Sequence, residues 1–294
     1  MYILALVFLA VFQVYGTPTK IANLKNPAVD ESSGLAASRS NPGIYWTHND
    51  SGDAPLVYAF DATGESRGVF RVAGAQARDW EDMAVGPGPE RATSYLYLGD
   101  IGDNDKVRTE IVVYRVAEPK LTPADKNSSK GSPRTTAPAD AIRLRYPDGK
   151  FDAETLLVHP TTGNLYIITK AMLKNAVVYE AAAPFVTGKV ITMRRIGEIK
   201  VPSLMGGVLT GGSISPDGRR VALCDYLQGY EVVLPASSKN FDEIWKQKIT
   251  GFNLGQREQG ESITYRADGK ALLATSEGKR PPLIQVDLRL SKTQ

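Results

Sequence analysis

Short segments of strand length that are rich in apolar residues, in places alternating with polar ones, recur along almost the whole chain, separated by turn residues. Residues 44–49, rich in aromatic and β-branched side chains, and residues 56–60 form one such pair, joined by a turn around Gly52. Further turns contain Asn-Pro-Gly, Pro-Asp-Gly or Ala-Asp-Gly. Alternation over strand-length segments with turn signals between them is typical of antiparallel sheets. The pattern therefore predicts an all-β protein.

The segments recur as a unit, in which an acid on a short strand is followed by a turn and a second strand with a polar end. The spacing is 50 residues from Glu31 to Glu81 and 48 residues from Ser213 to Glu261. A repeat of about 40–50 residues with about four strands is typical of a propeller blade. We predict a single β-propeller of five four-stranded blades, or six if residues 141–200 contain a further short blade. A β-sandwich is the alternative, but it does not explain the recurring unit.

The two ends of the predicted domain, residues 17–294, complement each other. The fifth unit contains three strands, and residues 20–24 form a spare strand near the other end. This strand would complete the last blade, so that two sheet edges are no longer exposed. Residues 118–140, rich in Pro, Ser, Thr and Lys, lengthen the second unit and predict a surface insertion, a loop that could be disordered.

The N-terminal segment predicts export. Residues 3–14 are almost wholly apolar, and Val14 and Gly16 suit a signal-peptidase site, so residues 1–16 are interpreted as a signal peptide. The segment has no basic residue ahead of it, and an uncleaved membrane anchor is the alternative, although a spanning helix needs about 20 residues. We expect a secreted or periplasmic protein that has no contact with the membrane after cleavage.

Composition excludes several classes of function. The 294 residues are 42% hydrophobic and 23% charged, as in ordinary globular proteins. The net charge is +3, and the basic residues are scattered, so we expect no nucleic-acid partner. The single cysteine, Cys224, cannot form an internal disulfide, and its apolar surroundings indicate a core residue. We expect a monomer.

Acids recur at the start of the predicted inner strands, which line the channel of a propeller. Carboxylates that converge on one axis need a cation or bound protons. Ca²⁺ takes 6–8 oxygen ligands, whereas Zn²⁺ would need nitrogen or sulfur ligands that only His48, His159 and Cys224 could supply. We therefore predict a Ca²⁺ site in the channel. Its candidate ligands are Glu31, Asn49, Asp50, Glu81, Asp82, Asp100, Asp103, Asn104, Glu154 and Glu261.

The candidate catalytic residues are His48, Glu81 and Asp82. There is no Gly-x-Ser-x-Gly motif, so a serine nucleophile is not supported. His48 precedes two polar residues and could act as a base near neutral pH, or it could be a rim histidine bonded to backbone. Asp79, Glu81 and Asp82 could accept a proton from water activated by a cation.

Two classes of function stay open at this point. One is a hydrolase acting on a phosphate ester, an ester or a lactone. The other is a non-enzymatic propeller that binds a small molecule, a glycan or a protein at the channel mouth and uses the cation only for structure. No motif in the sequence selects a sugar, a nucleotide or an acyl chain as the ligand.

Several motifs together resemble a family of secreted, mostly bacterial β-propeller proteins that remain largely uncharacterised. They are Glu31-Ser32-Ser33-Gly34-Leu35-Ala36, His48-Asn49-Asp50-Ser51-Gly52, Asp79-Trp80-Glu81-Asp82-Met83-Ala84, Gly99-Asp100-Ile101-Gly102-Asp103-Asn104, Tyr146-Pro147-Asp148-Gly149, Ala153-Glu154 and Gly260-Glu261-Ser262-Ile263. In the fourth unit, Cys224-Asp225 stands where such proteins tend to have Arg and Thr, which leaves the role of that blade open. More distantly, the acid-bearing strands resemble phytase-like and esterase-like propellers and calcium-dependent five-bladed nucleotidases. That resemblance implies a channel Ca²⁺ and hydrolysis of phosphate or ester bonds.

Overall fold

The computed structural model describes residues 11–292, with side chains for residues 15–289. Five antiparallel sheets surround one axis, so the predicted five-bladed β-propeller is confirmed. Helical structure in the described chain is limited to two 3₁₀ segments, Asp125–Asn127 and Phe241–Lys246. No helix among these residues is long and apolar enough to cross a membrane.

The strands are assigned to blades as follows. Two strands precede the first blade: β1 (Val11–Tyr15) and β2 (Thr19–Asn23). The first blade contains β3 (Ser32–Ala37), β4 (Ile44–Asn49), β5 (Leu56–Asp61) and β6 (Ser66–Ala73). The second contains β7 (Trp80–Pro87), β8 (Ser94–Asp100), β9 (Ile111–Ala117) and β11 (Asp140–Arg145), with β10 (Arg134–Pro138) inserted before its last strand.

The third blade contains β12 (Ala153–Val158), β13 (Leu165–Thr169), β15 (Ala176–Ala181) and β17 (Arg194–Ile199). The short strands β14 (Ala171–Met172) and β18 (Gly206–Gly207) pair with each other, and β16 (Val190–Thr192) joins the edge of the second blade. The fourth blade contains β19 (Gly211–Ile214), β20 (Arg220–Cys224), β21 (Gly229–Val233) and β22 (Thr250–Phe252). The fifth contains β23 (Gly260–Tyr265), β24 (Ala271–Ser276) and β25 (Pro282–Lys292), completed by β2.

The hydrophobic core is divided into five clusters, one between each pair of neighbouring blades. Trp46 and Leu98 lie in the cluster between the first and second blades, and Leu157 and Val221 in the one between the third and fourth. Each sheet therefore buries both faces, which explains why its strands are nearly continuously apolar. The innermost strands of successive blades pack on one another and close the ring.

The ring closes through the N-terminal strand, as predicted. β2 pairs antiparallel with β25, with Lys20 opposite Ile284. β1 pairs with the far end of β25, and the Tyr15 ring stacks on Phe252 with centroids 4.3 Å apart. The first ten residues of the predicted signal peptide lie outside the described residues, and its cleavage stays a prediction.

The insertion at residues 118–140 packs along the outer edge of the first blade. β10 runs parallel to β6, and Lys130 pairs with Asp53 at 2.8 Å. At the start of the insertion, Glu118 accepts a hydrogen bond from Trp46 Nε1 at 2.9 Å. The segment is therefore held by strand pairing and side-chain contacts, and it is not the disordered loop that its composition allowed.

All five inner strands begin at the same face, here called the upper face. Because the strands of a blade alternate in direction, the second strands end at this face, and the loops from second to third strands cross it. The acids at the starts of the first strands and those at the ends of the second strands therefore lie at the same end of the channel.

Candidate functional site

Four of the five inner strands carry a β-bulge near their upper end. The strand register shifts there by one residue, and the extra residues are Ser33, Glu81, Glu154 and Glu261. The inner strand of the fourth blade keeps its register, with Gly211 opposite Cys224. A bulge re-aims the side chain of the extra residue. Three blades therefore present a glutamate at the same structural position at the mouth of the channel.

The position of the bulge shows that one predicted match between blades was wrong. Glu31 was placed in the series with Glu81, Glu154 and Glu261, but the equivalent residue of the first blade is Ser33. Its Oγ donates a hydrogen bond to the Glu81 carbonyl oxygen at 2.5 Å. Glu31 lies two residues earlier, exposed, and its backbone forms a bridge with Glu277. The sequence spacing could not show this, because one extra residue in a strand does not change the length of a repeat noticeably.

Three carboxylates form a compact cluster at the mouth, here called the acid cluster: Asp50, Asp79 and Glu81. One oxygen from each lies within 4.8 Å of the others. Asp50 follows the second strand of the first blade, and the other two acids flank Trp80 in the second blade. The Glu81 side chain is only 6% exposed, yet its carboxylate has no hydrogen-bond or ion-pair partner among the described residues. Removing such a carboxylate from water costs free energy that no hydrogen bond or ion pair offsets.

Gly102 closes the acid cluster from one side. A Cβ atom at this position would lie 2.2 Å from Glu81 Oε1 and 2.4 Å from Asp79 Oδ2. The Gly102 carbonyl accepts a hydrogen bond from Arg108 Nη1 at 2.8 Å, which fixes the loop in place. A side chain at this position would therefore displace both carboxylates from the positions they occupy.

The pKa values of the mouth acids are raised. Burial, followed by the charges of Glu154 and Asp50, raises the pKa of Glu81 well above its ordinary value. Burial and the charge of Asp50 raise the pKa of Asp79 to about 6. Burial also raises the pKa of Glu154 to about 7. Burial and the charge of Glu154 together raise the pKa of Glu261 to about 9. In the absence of a cation, the mouth therefore holds protons near neutral pH.

A lysine of the third blade reaches into the same mouth. Lys170 Nζ forms a short ion pair with Glu154 Oε1 and lies 5.4 Å from the centre of the Tyr226 ring. The ammonium group lowers the pKa of Glu154 against the larger effect of burial. Glu154 Oε2 is buried and has no hydrogen-bond partner in the part of the chain that the structure describes. One oxygen of Glu154 is thus left without a partner inside the mouth.

Four of the predicted ligands do not belong to the acid cluster, and three of them hold loops around the mouth. Asp100 Oδ1 pairs with Arg108 at 2.8 Å, with both side chains buried. Asp103 accepts two backbone N–H groups of its own loop, at 2.8 and 3.0 Å. The Asn49 side chain donates to a neighbouring backbone carbonyl and to Asp53, and Asn104 is exposed.

Asp82 lies below the acid cluster, inside the ring of inner strands. Its carboxylate accepts backbone N–H groups from Met83, Leu156 and Gly212, at 2.8, 3.0 and 3.2 Å. These donors belong to the second, third and fourth blades. Burial raises the pKa of Asp82, and the three N–H groups lower it in part. Because its side chain is fully buried, the structure places Asp82 as a joint between blades and not at the accessible mouth.

His48 is also fully buried. Its Nδ1 lies 2.8 Å from the Asn49 carbonyl oxygen, and its ring packs edge-on against Trp80 with centroids 5.5 Å apart. Burial lowers the pKa of the imidazole. The structure therefore agrees with a histidine bonded to backbone, and it leaves no path from the ring to a substrate at the mouth.

Sequence reasoning left two acids of the mouth, Asp79 and Asp152, out of the predicted ligands. Each stands two residues before a bulge glutamate, so Asp-x-Glu occurs twice at one structural position, once with Glu81 and once with Glu154. This repetition was a usable signal. Asp152 is buried and accepts the Asp103 backbone N–H at 2.9 Å, and its charge contributes to the raised pKa of its neighbours.

No family model matches the chain, and no curated protein matches it. Among solved structures, a "putative oxidoreductase (glucose dehydrogenase)" of Thermus thermophilus matches with a TM-score of 0.47 and 10% identity, over 92% of this chain and 99% of that one. A chain of the nidogen/laminin complex matches with a TM-score of 0.47 and 12% identity, over 84% and 73%. The likeness is one of β-propeller fold alone, and it carries no conclusion about activity.

Proposed function

We propose that the upper mouth of the channel binds a divalent cation, with Ca²⁺ the best fit, through Asp50, Asp79 and Glu81. The observation that carries the proposal is the geometry of the acid cluster. Three carboxylates from two blades lie within 4.8 Å of one another, and the most buried of them has no partner among residues 15–289. A cation would replace the protons that these groups otherwise hold.

The donor set suits calcium. Carboxylates can bind Ca²⁺ through one or both oxygens, so three of them supply part or all of the 6–8 ligands that the ion takes. His48 and Cys224 are fully buried, and neither offers a ligand atom to the group formed by Asp50, Asp79 and Glu81, so soft ligands for Zn²⁺ do not contribute. Extracellular calcium modules bind in the range of about 10⁻⁴–10⁻³ M. The predicted signal peptide would deliver the protein to a compartment where such affinity is sufficient.

We propose a hydrolase of phosphate esters, esters or lactones as the function built on this site. A bound divalent cation polarises a phosphoryl or carbonyl oxygen and lowers the pKa of adjacent water. Glu154 is our candidate for the proton acceptor, because its pKa of about 7 matches the operating range and one oxygen is unpartnered. It replaces the predicted bases His48 and Asp82, which are 0% exposed and bonded to backbone groups, whereas Glu154 is 7% exposed at the mouth. Lys170 would stabilise negative charge beside it.

A non-enzymatic binding propeller is the second candidate, and a specific observation favours it. Arg108 pairs with Asp100, and Lys170 pairs with Glu154, so part of the acidic mouth is neutralised by the chain itself. Such pairs hold the mouth rigid and need no part in turnover. In this case the cation orders the mouth, and a small molecule, glycan or protein binds there without turnover.

The experiment compares Glu81→Gln with Glu90→Gln, a matched control at an exposed acid on the lower face. Calcium binding is measured by calorimetry and by the shift in Tm. Turnover is measured with phosphomonoester, nucleotide, phytate, aryl-ester and lactone substrates, with and without calcium. Calcium binding that Glu81→Gln abolishes and Glu90→Gln retains supports the cation site.

Turnover that depends on calcium supports the hydrolase, whereas a calcium-loaded protein that is inert on every substrate supports the binding propeller. A wild-type protein whose Tm and calorimetric signal do not respond to calcium contradicts the cation site itself.

A further inference from the structure

A cavity of about 600 Å³ opens on the lower face between the fourth and fifth blades, and we call it the lower cavity. Its walls are the turns that follow the inner strands of these blades and the ends of their third strands, so it lies at the opposite end of the molecule from the acid cluster. Sites that enclose a small organic molecule have volumes of about 300–1,000 Å³. The lower cavity is therefore large enough to be a binding site of its own.

The alternation of side chains along the strands explains why the cavity exists. Ala222 of β20 and Leu272 of β24 belong to the apolar core between the fourth and fifth blades. Two residues nearer the lower face, the corresponding positions are Arg220 and Lys270, and both side chains line the lower cavity. Residues two apart on a strand lie on the same face of the sheet. The apolar core therefore ends in two cations, one from each blade, and the cavity begins there.

Positive charge is in excess around the lower cavity. Three basic side chains line it, Arg219, Arg220 and Lys270, against one acidic side chain, Asp217, so the excess is two charges. The Arg219 guanidinium donates hydrogen bonds to backbone carbonyls of the segment that follows β21, two of them at 3.3 Å. Neither Arg219 nor Lys270 forms a salt bridge with any residue between 15 and 289. An anion would therefore be stabilised here.

The carboxylates near the lower cavity already have partners. Asp217 accepts a backbone N–H and a serine hydroxyl within its own turn. Asp268, in the neighbouring turn, pairs with Arg266 at 2.8 Å. Glu231 is buried deeper between the sheets, where it accepts the Tyr265 hydroxyl hydrogen at 2.5 Å. The acids of the channel mouth lie at the other face, so an anion in the lower cavity meets more cationic than anionic groups.

The rest of the wall is apolar. Val233 stands opposite Arg220 in the register of β20 and β21, and its side chain is 48% exposed. Pro235 and Ala236 continue this wall, and Leu288 lines the cavity from the fifth blade. A ligand that covered these side chains would remove apolar surface from water, which favours binding. The lower cavity thus combines cations with an apolar wall.

We propose that the lower cavity binds a small organic anion with an apolar body, an aromatic or acyl compound that ends in a carboxylate, sulfonate or phosphate group. The anionic group lies beside Lys270 and the two arginines, and the apolar body lies against Val233 and Leu288. This site goes beyond the proposed function and does not depend on it, because it lies on the opposite face and shares no residue with the channel mouth.

The experiment titrates the protein with two fluorescent probes, 1-anilinonaphthalene-8-sulfonate and N-phenyl-1-naphthylamine, which have the same aromatic body but differ in the sulfonate group. The test variants are Lys270→Glu, which reverses the charge of an exposed side chain, and Val233→Ser, which shortens the apolar wall. The matched control is Lys189→Glu. This lysine is exposed on the same face, does not line the cavity and forms no salt bridge among the described residues. The Tm of each variant shows that it is folded.

We expect the wild type and Lys189→Glu to bind the sulfonate at least about tenfold more tightly than the neutral probe. Lys270→Glu should lose this preference through an at least about tenfold weaker affinity for the sulfonate, and Val233→Ser should bind both probes about threefold more weakly. Raised ionic strength should weaken binding of the sulfonate alone.

A wild type that does not bind the sulfonate, or that binds the neutral probe equally well, would overturn the proposal. So would an unchanged sulfonate affinity in Lys270→Glu or in Val233→Ser, or an equal loss of affinity in the Lys189→Glu control.

Discussion

Gly102 and Glu81 are in such close contact that a single methyl group at Gly102 would lie 2.2 Å from the Glu81 carboxylate oxygen. The loop after β8 and the bulge of β7 therefore fix each other. The acid cluster is thus positioned by the absence of a side chain as much as by the acids themselves. This makes the glycine a sensitive point for testing the site.

We predict that Gly102→Ala displaces the Glu81 carboxylate and weakens calcium binding. Overpacking of this kind destabilises a protein by about 1–3 kcal/mol. The difference in Tm between the wild type and the variant should grow when calcium is added, because weaker calcium binding stabilises the variant less. Gly131→Ala is the control, since a Cβ there meets no atom within 4 Å. Equal calcium responses in the two variants would show that the cluster does not bind the ion.

The second prediction concerns pH. The pKa values of Asp79, Glu154 and Glu261 are raised to about 6, 7 and 9, so the folded state binds more protons than the unfolded state. The stability that these protons provide is fully present below the unfolded pKa values and is lost as the pH rises through the folded ones. In chelator, we therefore expect the free energy of unfolding to fall as the pH rises from about 5 to about 9. The lower limit lies just above the ordinary carboxyl pKa of the unfolded chain, and the upper limit is the raised pKa of Glu261.

Calcium should reduce this slope, because the ion takes the place of the protons. The measurement is chemical denaturation at several pH values in chelator and in calcium. A free energy of unfolding that is constant or rises with pH in chelator would contradict the raised pKa values.

The third prediction separates Asp82 from Glu81. Asp82→Asn disturbs a carboxylate that accepts N–H groups from three blades, so we expect a loss of about 3 kcal/mol of stability. Its calcium affinity should change little. Glu81→Gln should do the reverse, with reduced calcium affinity and an apo protein that is at least as stable, since it removes repulsion. Denaturation and calcium titration on both variants test this, and a calcium defect confined to Asp82→Asn would place the ion deeper in the channel.

The fourth prediction concerns Lys170. Lys170→Met removes the charge that lowers the pKa of Glu154, so this pKa should rise and the carboxyl should be protonated at neutral pH. If Glu154 accepts a proton during turnover, the pH–rate profile should move to higher pH, and Lys170→Arg should restore it in part. A profile that stays in place in Lys170→Met, with the protein folded, would argue against Glu154 as the base.

The large-scale fold could be predicted from the sequence because blade repeats leave a visible period. The strands of each unit, the spacing of the acids and the spare strand before residue 25 together predicted a closed ring of five blades, or six with a further short blade in residues 141–200, and the structure has five. The roles of individual acids were harder to predict. The register of β7 shifts at Glu81, and a bulge of one residue cannot be recognised in the sequence, so the separate positions of Glu81 at the mouth and Asp82 in the interior could not be predicted.

The other errors have a similar cause. Asp100 was read as a ligand, but its partner Arg108 lies eight residues further along an irregular loop, where no periodicity indicates a contact. Asp79 reaches the cluster because Trp80 is buried beside it. The pairing between β14 and β18 could not be predicted either, because two strands of two residues each are too short to be recognised from a pattern.

The pairing of β2 with β25 has a consequence for how the chain folds. It joins residues near opposite ends of the sequence, such as Thr19 and Gln285, and so, like the pairing of β1 with β25, it closes a far longer loop than the strand pairings within the other blades. Contacts of high sequence separation slow folding, because the chain loses entropy before they form. The first four blades can each form from continuous segments, whereas the fifth has to wait for both ends. We therefore expect the seam of the ring to form last during folding and to open first under denaturing stress.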